Sequence, residues 1–378
     1  MKKLIALMLA VVLCLSGIVG CCAAGEQVTT GEIGVILNEE FGHIYIELTI
    51  DEFNALGFAF GDSVDVVFSN GKEIQDLPYF SGYFVPVGEL VACGYPGYPH
   101  VVIARNFSGP TWDEFGMTDD TTVTITLNEK GKYLAVQELY SLEYSNIRES
   151  YPSDVAFANY REVKGGSLKP RTFYRSASPC NNQNLRASST DRLTELCGIR
   201  FVLNLSDTET KYQAHTEAED FDSPYYASLY QEGNVLLLGM NANYRSDDFA
   251  KILSEALLAM SEHEGPCLIH CVEGKDRTGF ACTLLLALAG ASPQEIIDDY
   301  MITFTNYYGV TKEEMPDRYN AILGNMLDFF YCLCDVEKGT DPDTLDLRAG
   351  AENYLRRGGL SDEQVAQIEA YIMEPDAQ

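Results

Sequence analysis

Pro266-Cys267-Leu268-Ile269-His270-Cys271-Val272-Glu273-Gly274-Lys275-Asp276-Arg277-Thr278-Gly279 is the stretch from which the rest of the chain can be read. Its first residues are a short apolar run with the length and bounding residues of a buried strand. Beyond it, residues 279–289 are rich in helix formers, and Gly290 and Pro293 stand where a helix would stop. The pattern is strand, short loop, helix. A helix N-terminus offers unpaired N–H groups and a partial positive charge, and so attracts anions. Successive loop amides add a concave nest for phosphate oxygens. Cys271 and Arg277 stand at the two ends of this loop. A thiolate there is expected to be the nucleophile, since a helix N-terminus and a nearby cation lower a cysteine pKa. The planar guanidinium of Arg277 matches two phosphate oxygens at once. Gly274 permits the tight turn. Thr278 is placed to give its hydroxyl to the departing sulfur, and His270 to fix the loop through its ring N–H. Val272, Glu273, Gly274, Lys275 and Gly279 complete the expected substrate-binding loop. The chemistry implied is a covalent cysteinyl-phosphate followed by attack of water.

The string H-C-x-x-G-x-x-R-T-G resembles the loop of the cysteine-dependent protein-tyrosine and dual-specificity phosphatases. Lys275-Asp276-Arg277 narrows the resemblance to the bacterial atypical tyrosine phosphatases, phosphoinositide-capable, whose loop reads H-C-x-x-G-K-D-R-T-G. Asn159-Tyr160-Arg161-Glu162-Val163, Gly165-Gly166 and Phe173-Tyr174-Arg175-Ser176 are similar to a second motif of that family, with Glu162 where Asp is usual. Residues 199–207 resemble its strand that ends in a polar, Asp-containing turn. The resemblance covers roughly residues 150 to 335 and implies an α/β cysteine-dependent phosphatase fold, a central sheet flanked by helices, with no metal and no cofactor. It implies phosphomonoester substrates and brings Arg175 and Asp207 into the substrate-binding set. It also assigns the general acid to Asp276, with Asp207 and Asp247 behind it. The leading expectation is a tyrosine or dual-specificity phosphatase acting on phosphotyrosine or phosphoserine protein. The alternatives are a phosphoinositide or inositol polyphosphate phosphatase, and a non-catalytic surface protein that binds phospho-ligands.

Met1-Lys2-Lys3 followed by an apolar run from Leu4 to Gly20 reads as a signal peptide. Ile18-Val19-Gly20-Cys21 resembles the bacterial lipoprotein box, which makes Cys21 the expected lipidation site. The expectation is an exported protein of the cell envelope, lipid-anchored on the outer face of the cytoplasmic membrane. Cleavage after Ala24, giving a secreted protein, is the alternative. The formal net charge of −30 repels nucleic acid, so no nucleic-acid partner is expected. It also favours phosphoesters less highly charged than inositol hexakisphosphate. Of the 11 cysteines, Cys197, Cys267 and Cys282 lie in apolar runs and read as small core residues. A bridge among Cys180, Cys332 and Cys334 stays open.

Three parts follow the signal segment. Residues 26–145 alternate or run apolar like strands at 33–37, 43–48, 63–68 and 122–127, with long loops expected from Pro78 to Pro99, and read as a small β-barrel or sandwich. Residues 150–335 form the α/β catalytic unit. Residues 336–378 are a C-terminal helical segment whose last helix opens at Leu360-Ser361-Asp362-Glu363-Gln364. Tyr300, Tyr307 and Tyr308 are candidates for a pocket wall or for core packing. Five histidines without paired spacing argue against zinc.

Overall fold

The computed structural model describes residues 27–374. The signal segment and Cys21 lie outside the described residues. The chain divides into two compact units, one ending at Ser141 and one beginning at Leu142.

In the first unit seven strands close into a barrel. In chain order they are β1 (Thr29–Asn38), β2 (His43–Ile46), β3 (Ser63–Phe68), β4 (Glu73–Phe80), β5 (Leu90–Cys93), β6 (Val102–Arg105) and β7 (Thr122–Glu129). Around the barrel they run β1-β2-β6-β5-β4-β3-β7, and every pair is antiparallel except β4 with β5. Closure leaves no open sheet edge. Ile44, Ile46, Val64, Val66, Ile103, Val123 and Ile125 fill the interior, as the period of two requires. The long loops expected from Pro78 to Pro99 are corrected: β4 continues to Phe80 and β5 occupies Leu90–Cys93. Four apolar residues in a row carry no alternation, so β5 was hidden among glycines and prolines. Trp112 packs against the barrel core.

In the second unit a five-stranded sheet has the order β11-β10-β12-β9-β8. Its strands are β8 (Arg161–Glu162), β9 (Phe173–Ser176), β10 (Phe201–Asn204), β11 (Val235–Leu237) and β12 (Cys267–His270). The four strands from β9 to β12 are parallel, and β8 is an antiparallel edge. Every residue of β10 and β12 is buried, as expected of parallel strands covered on both faces. Ser176, His270 and Asn204 stand in register at the carboxyl edge, so the loops that follow them leave from one rim. Ligands bind at this rim in open α/β sheets.

The helix Asp276–Leu288 follows β12 and is buried from Thr278 onward, which explains its apolar run without a polar face. Gly166 lets the backbone of another segment approach its end: at φ +52°, a Cβ there would lie 2.3 Å from the carbonyl oxygen of Ala289. The helices Leu347–Arg357 and Asp362–Ile372 bury Leu347, Ala351, Tyr354, Leu355, Val365, Ile368 and Ile372 in the core that also holds Phe280 and Leu284. The helices Pro316–Cys334, Glu209–Thr216 and Pro224–Gln231 were not anticipated. The eight described cysteines are all free, so no bridge joins Cys180, Cys332 and Cys334.

Candidate active site

Cys271 follows β12 directly and is 3% exposed, at the floor of the loop. The next carbonyls are all held from outside. Val272 O accepts from the Ser178 amide at 3.0 Å. Glu273 O accepts from the Tyr307 hydroxyl at 2.7 Å. Gly274 O accepts from Arg175 Nη2 at 2.9 Å and from Asn159 Nδ2 at 3.2 Å. In a planar trans peptide the C=O and the following N–H point in opposite directions. Tying these carbonyls outward therefore turns the amides of Glu273, Gly274 and Lys275 inward, towards one another. Those amides and the start of the helix Asp276–Leu288 together make an anion cradle above Cys271. Gly274 is required by two constraints at once. Its φ is +67°, and a Cβ would lie 2.2 Å from Ser176 O.

Arg277 is partly buried, and its Nη1 donates to the carbonyl oxygen of Met240 at 2.8 Å. Met240 belongs to the loop after β11, so the backbone of that loop sets the direction of the guanidinium. Thr278 is fully buried, and its hydroxyl has no partner in the protein. A buried hydroxyl without a partner is costly unless a ligand or a neighbouring sulfur uses it. His270 is fully buried, with Nδ1 3.2 Å from Cys271 O and Nε2 3.4 Å from the Tyr226 hydroxyl. Burial lowers its pKa to about 4, so it is a neutral imidazole that pins the loop's first carbonyl.

Beneath the loop lies a buried ionic platform. Asp299 pairs with Arg175 and, at 3.2 Å, with Arg161 Nε. Arg161 also donates to Asn159 Oδ1 at 2.6 Å and to Thr303 Oγ1 at 3.0 Å. Burial opposes the Asp299 charge, but Arg175 and then Arg161 outweigh it and hold the carboxyl below its usual range. Arg175 is 0% exposed, so its expected contact with substrate is corrected: it is a positioning residue that holds the loop from below. Asp207 is corrected in the same way. It is 1% exposed, its carboxylate accepts from Asn204 Nδ2 at 2.8 Å, and it faces His215. Gly279 is corrected as well. It is buried in the helix, where a Cβ would meet the Tyr300 ring at 2.7 Å, so it serves packing.

Of the three candidate acids, the Asp276 side chain is 59% exposed on the loop itself. Asp247 is 90% exposed at the start of the helix Asp247–Met260, beside Arg357. Four other thiols are held in the protonated form by burial, which disfavours them as nucleophiles. Burial pushes Cys267 and Cys332 up to about 11 and Cys180 and Cys282 up to about 12. Tyr307 and Tyr308 flank the loop, whereas Tyr300 belongs to the core. A cleft of about 520 Å³ lined by Lys169, Arg171, His263 and Tyr371 opens elsewhere and includes no loop residue. Among the described residues no group of His, Cys, Asp and Glu could hold a metal ion, and no helix is long and apolar enough to cross a membrane.

Sequence reasoning missed Tyr144, Asp299 and Thr303, and named Tyr307 only as a candidate for a pocket wall or for core packing. One signal was available: Asp299, Thr303 and Tyr307 recur every fourth residue, as a polar stripe on one helix face.

Comparison with known proteins came to the same unit. A family model described as "Tyrosine phosphatase family" matches residues 145–374. A "Tyrosine-protein phosphatase" from Nostoc commune is 42% identical over 130 residues, which is 30% of this chain and 40% of that protein. The chain thus spans about two fifths of that relative's length. A solved structure of P. aeruginosa TpbA, a cysteine-to-serine variant in complex with pTyr, aligns at 20% identity with a TM-score of 0.28, covering 51% of this chain and 96% of that one.

Proposed function

The chain belongs to the tyrosine phosphatase family, and on that premise we propose that it hydrolyses phosphomonoesters, phosphotyrosine foremost, through a cysteinyl-phosphate. The observation that carries this reading is the loop whose carbonyls are tied outward above a buried Cys271. The inward amides meet the three non-bridging phosphate oxygens where negative charge gathers in the transition state. Arg277, aimed by Met240, spans two of them.

The Cys271 thiolate attacks phosphorus, the S–P bond forms and the ester P–O bond breaks. Asp276 gives its proton to the leaving oxygen. Asp276 lies on the loop itself with an accessible carboxylate, which supports it over the buried Asp207 and over Asp247, which starts a different helix. In the second step water attacks phosphorus and passes a proton to the Asp276 carboxylate. The S–P bond breaks, and phosphate and the thiolate are released. Thr278, with its hydroxyl otherwise unpartnered, hydrogen-bonds the sulfur as it departs. Both Cys271 and Arg277 are present, which supports turnover over passive phospho-ligand binding. Export and a lipid anchor at Cys21 are further parts of the proposal and rest on residues 1–24 alone.

The test is p-nitrophenyl phosphate hydrolysis by the full chain and by Cys271→Ser. The variant is expected to lose about 10⁴-fold or more in kcat, as removal of a covalent nucleophile does. A wild type no faster than the variant refutes the proposal.

A further inference from the structure

Glu273 and Lys275 occupy neighbouring positions around the anion cradle, and their side chains are tied to each other. Lys275 Nζ lies 3.0 Å from Glu273 Oε2 and 3.9 Å from Asp276 Oδ2. The same Glu273 carboxylate accepts a short hydrogen bond from the Tyr144 hydroxyl. Tyr144 is itself fixed. Its ring stacks on Tyr307 with centroids 5.2 Å apart, and the Arg186 guanidinium lies 4.9 Å from its centroid. Both side chains of the pair are largely buried, at 20% and 25% exposure. Burial works against the Lys275 charge, but Asp276 and then Glu273 outweigh it and hold the ammonium well above its usual range. The pair is therefore a fixed zwitterion, not two free side chains.

This arrangement has a chemical consequence. A free lysine beside a phosphate cradle would attract a second anionic group on the substrate. Here its charge is already matched, by Glu273 at 3.0 Å and by Asp276 at 3.9 Å, and the closer Glu273 carboxylate would repel a second phosphoryl group. Resting on the phosphatase reading above, we propose that Glu273 determines the substrate class, by withholding Lys275 from any second phosphate and so selecting singly phosphorylated esters over those with adjacent phosphates. Tyr144 acts through Glu273, as the residue that positions it.

The experiment compares a phosphotyrosine peptide with a soluble inositol bisphosphate bearing adjacent phosphates. Dissociation constants are measured on the full chain carrying Cys271→Ser, alone and combined with Glu273→Gln, with Tyr144→Phe, and with Glu273→Gln plus Lys275→Met. Glu273→Gln keeps the size of the side chain and removes its charge. It should shift the affinity ratio towards the bisphosphate by about tenfold, a typical order for one close charge pair. Tyr144→Phe should shift it the same way by less, and Lys275→Met should cancel the gain. An unchanged ratio in both Glu273→Gln and Tyr144→Phe overturns the proposal, as does a gain that survives the loss of Lys275. Failure of the wild type to turn over either substrate would strike the phosphatase reading instead, because the affinity ratio is read without turnover.

Discussion

Nη2 of Arg175 donates to the carbonyl oxygen of Gly274 at 2.9 Å, while the same guanidinium is paired with Asp299. One buried arginine thus sets the orientation of a peptide whose far side, the Lys275 amide, faces the anion cradle. Asp299→Asn should be costly because it leaves Arg175 and Arg161 buried without a counter-charge. We expect a loss of about 3–5 kcal/mol in urea unfolding, the usual consequence of breaking a buried pair from one side. A loss within error of zero would mean that the platform is dispensable.

Gly274→Ala places a Cβ against Ser176 O at a backbone angle that L side chains avoid. The expected cost is about 1–3 kcal/mol of strain, together with loss of p-nitrophenyl phosphate hydrolysis as the loop shifts. A thermal melt and an initial-rate assay on the same preparation check both. Activity within twofold of wild type would contradict the geometry.

Asp276→Asn should slow phosphotyrosine hydrolysis far more than that of p-nitrophenyl phosphate. The nitrophenolate leaves without needing a proton, so only the poorer leaving group exposes loss of the acid. The expected difference between the two substrates is about 10²-fold in kcat, the low end for general acid catalysis. Equal slowing would remove Asp276 from the role.

His270 is buried with its pKa lowered to about 4. The unfolded chain binds a proton near pH 6.5 that the folded chain does not take up until about pH 4. Stability from this group is therefore present in full above pH 6.5 and is lost as pH falls towards 4, by up to about 3 kcal/mol. Asp191 acts in the opposite sense. Burial raises it to about 6, so its contribution declines as pH rises from 3.8 to 6. A comparison of wild type with His270→Asn separates the two, because Asp191 is common to both. The difference in stability between them should change with pH in that window; a constant difference refutes the assignment.

Cys271, Gly274 and Arg277 were legible because their chemistry is contiguous: a strand, a tight loop and a helix start follow one another in the chain. Apart from His270, the residues that orient the loop were not, for physical reasons. Met240 contributes only a backbone oxygen, which carries no side-chain signature. Asp299 and Thr303 share a helix face whose partner, the Asn159–Arg161 segment, is more than a hundred residues away. Arg175 was noticed as part of a motif, yet a motif does not tell a residue that touches ligand from one that supports the floor. In the barrel β1, β2, β3 and β7 were readable and β4, β5 and β6 were not, β5 because four apolar residues in a row carry no alternation.

The carbonyls of Val272, Glu273 and Gly274 are held by Ser178, Tyr307, Arg175 and Asn159, which come from both sides of the loop in the chain. During synthesis, then, the loop cannot take its working shape when Cys271 leaves the ribosome. It must wait for the helix that carries Tyr307. A nascent chain halted short of that point carries Cys271 in a loop whose Glu273 carbonyl still lacks the Tyr307 hydroxyl that holds it.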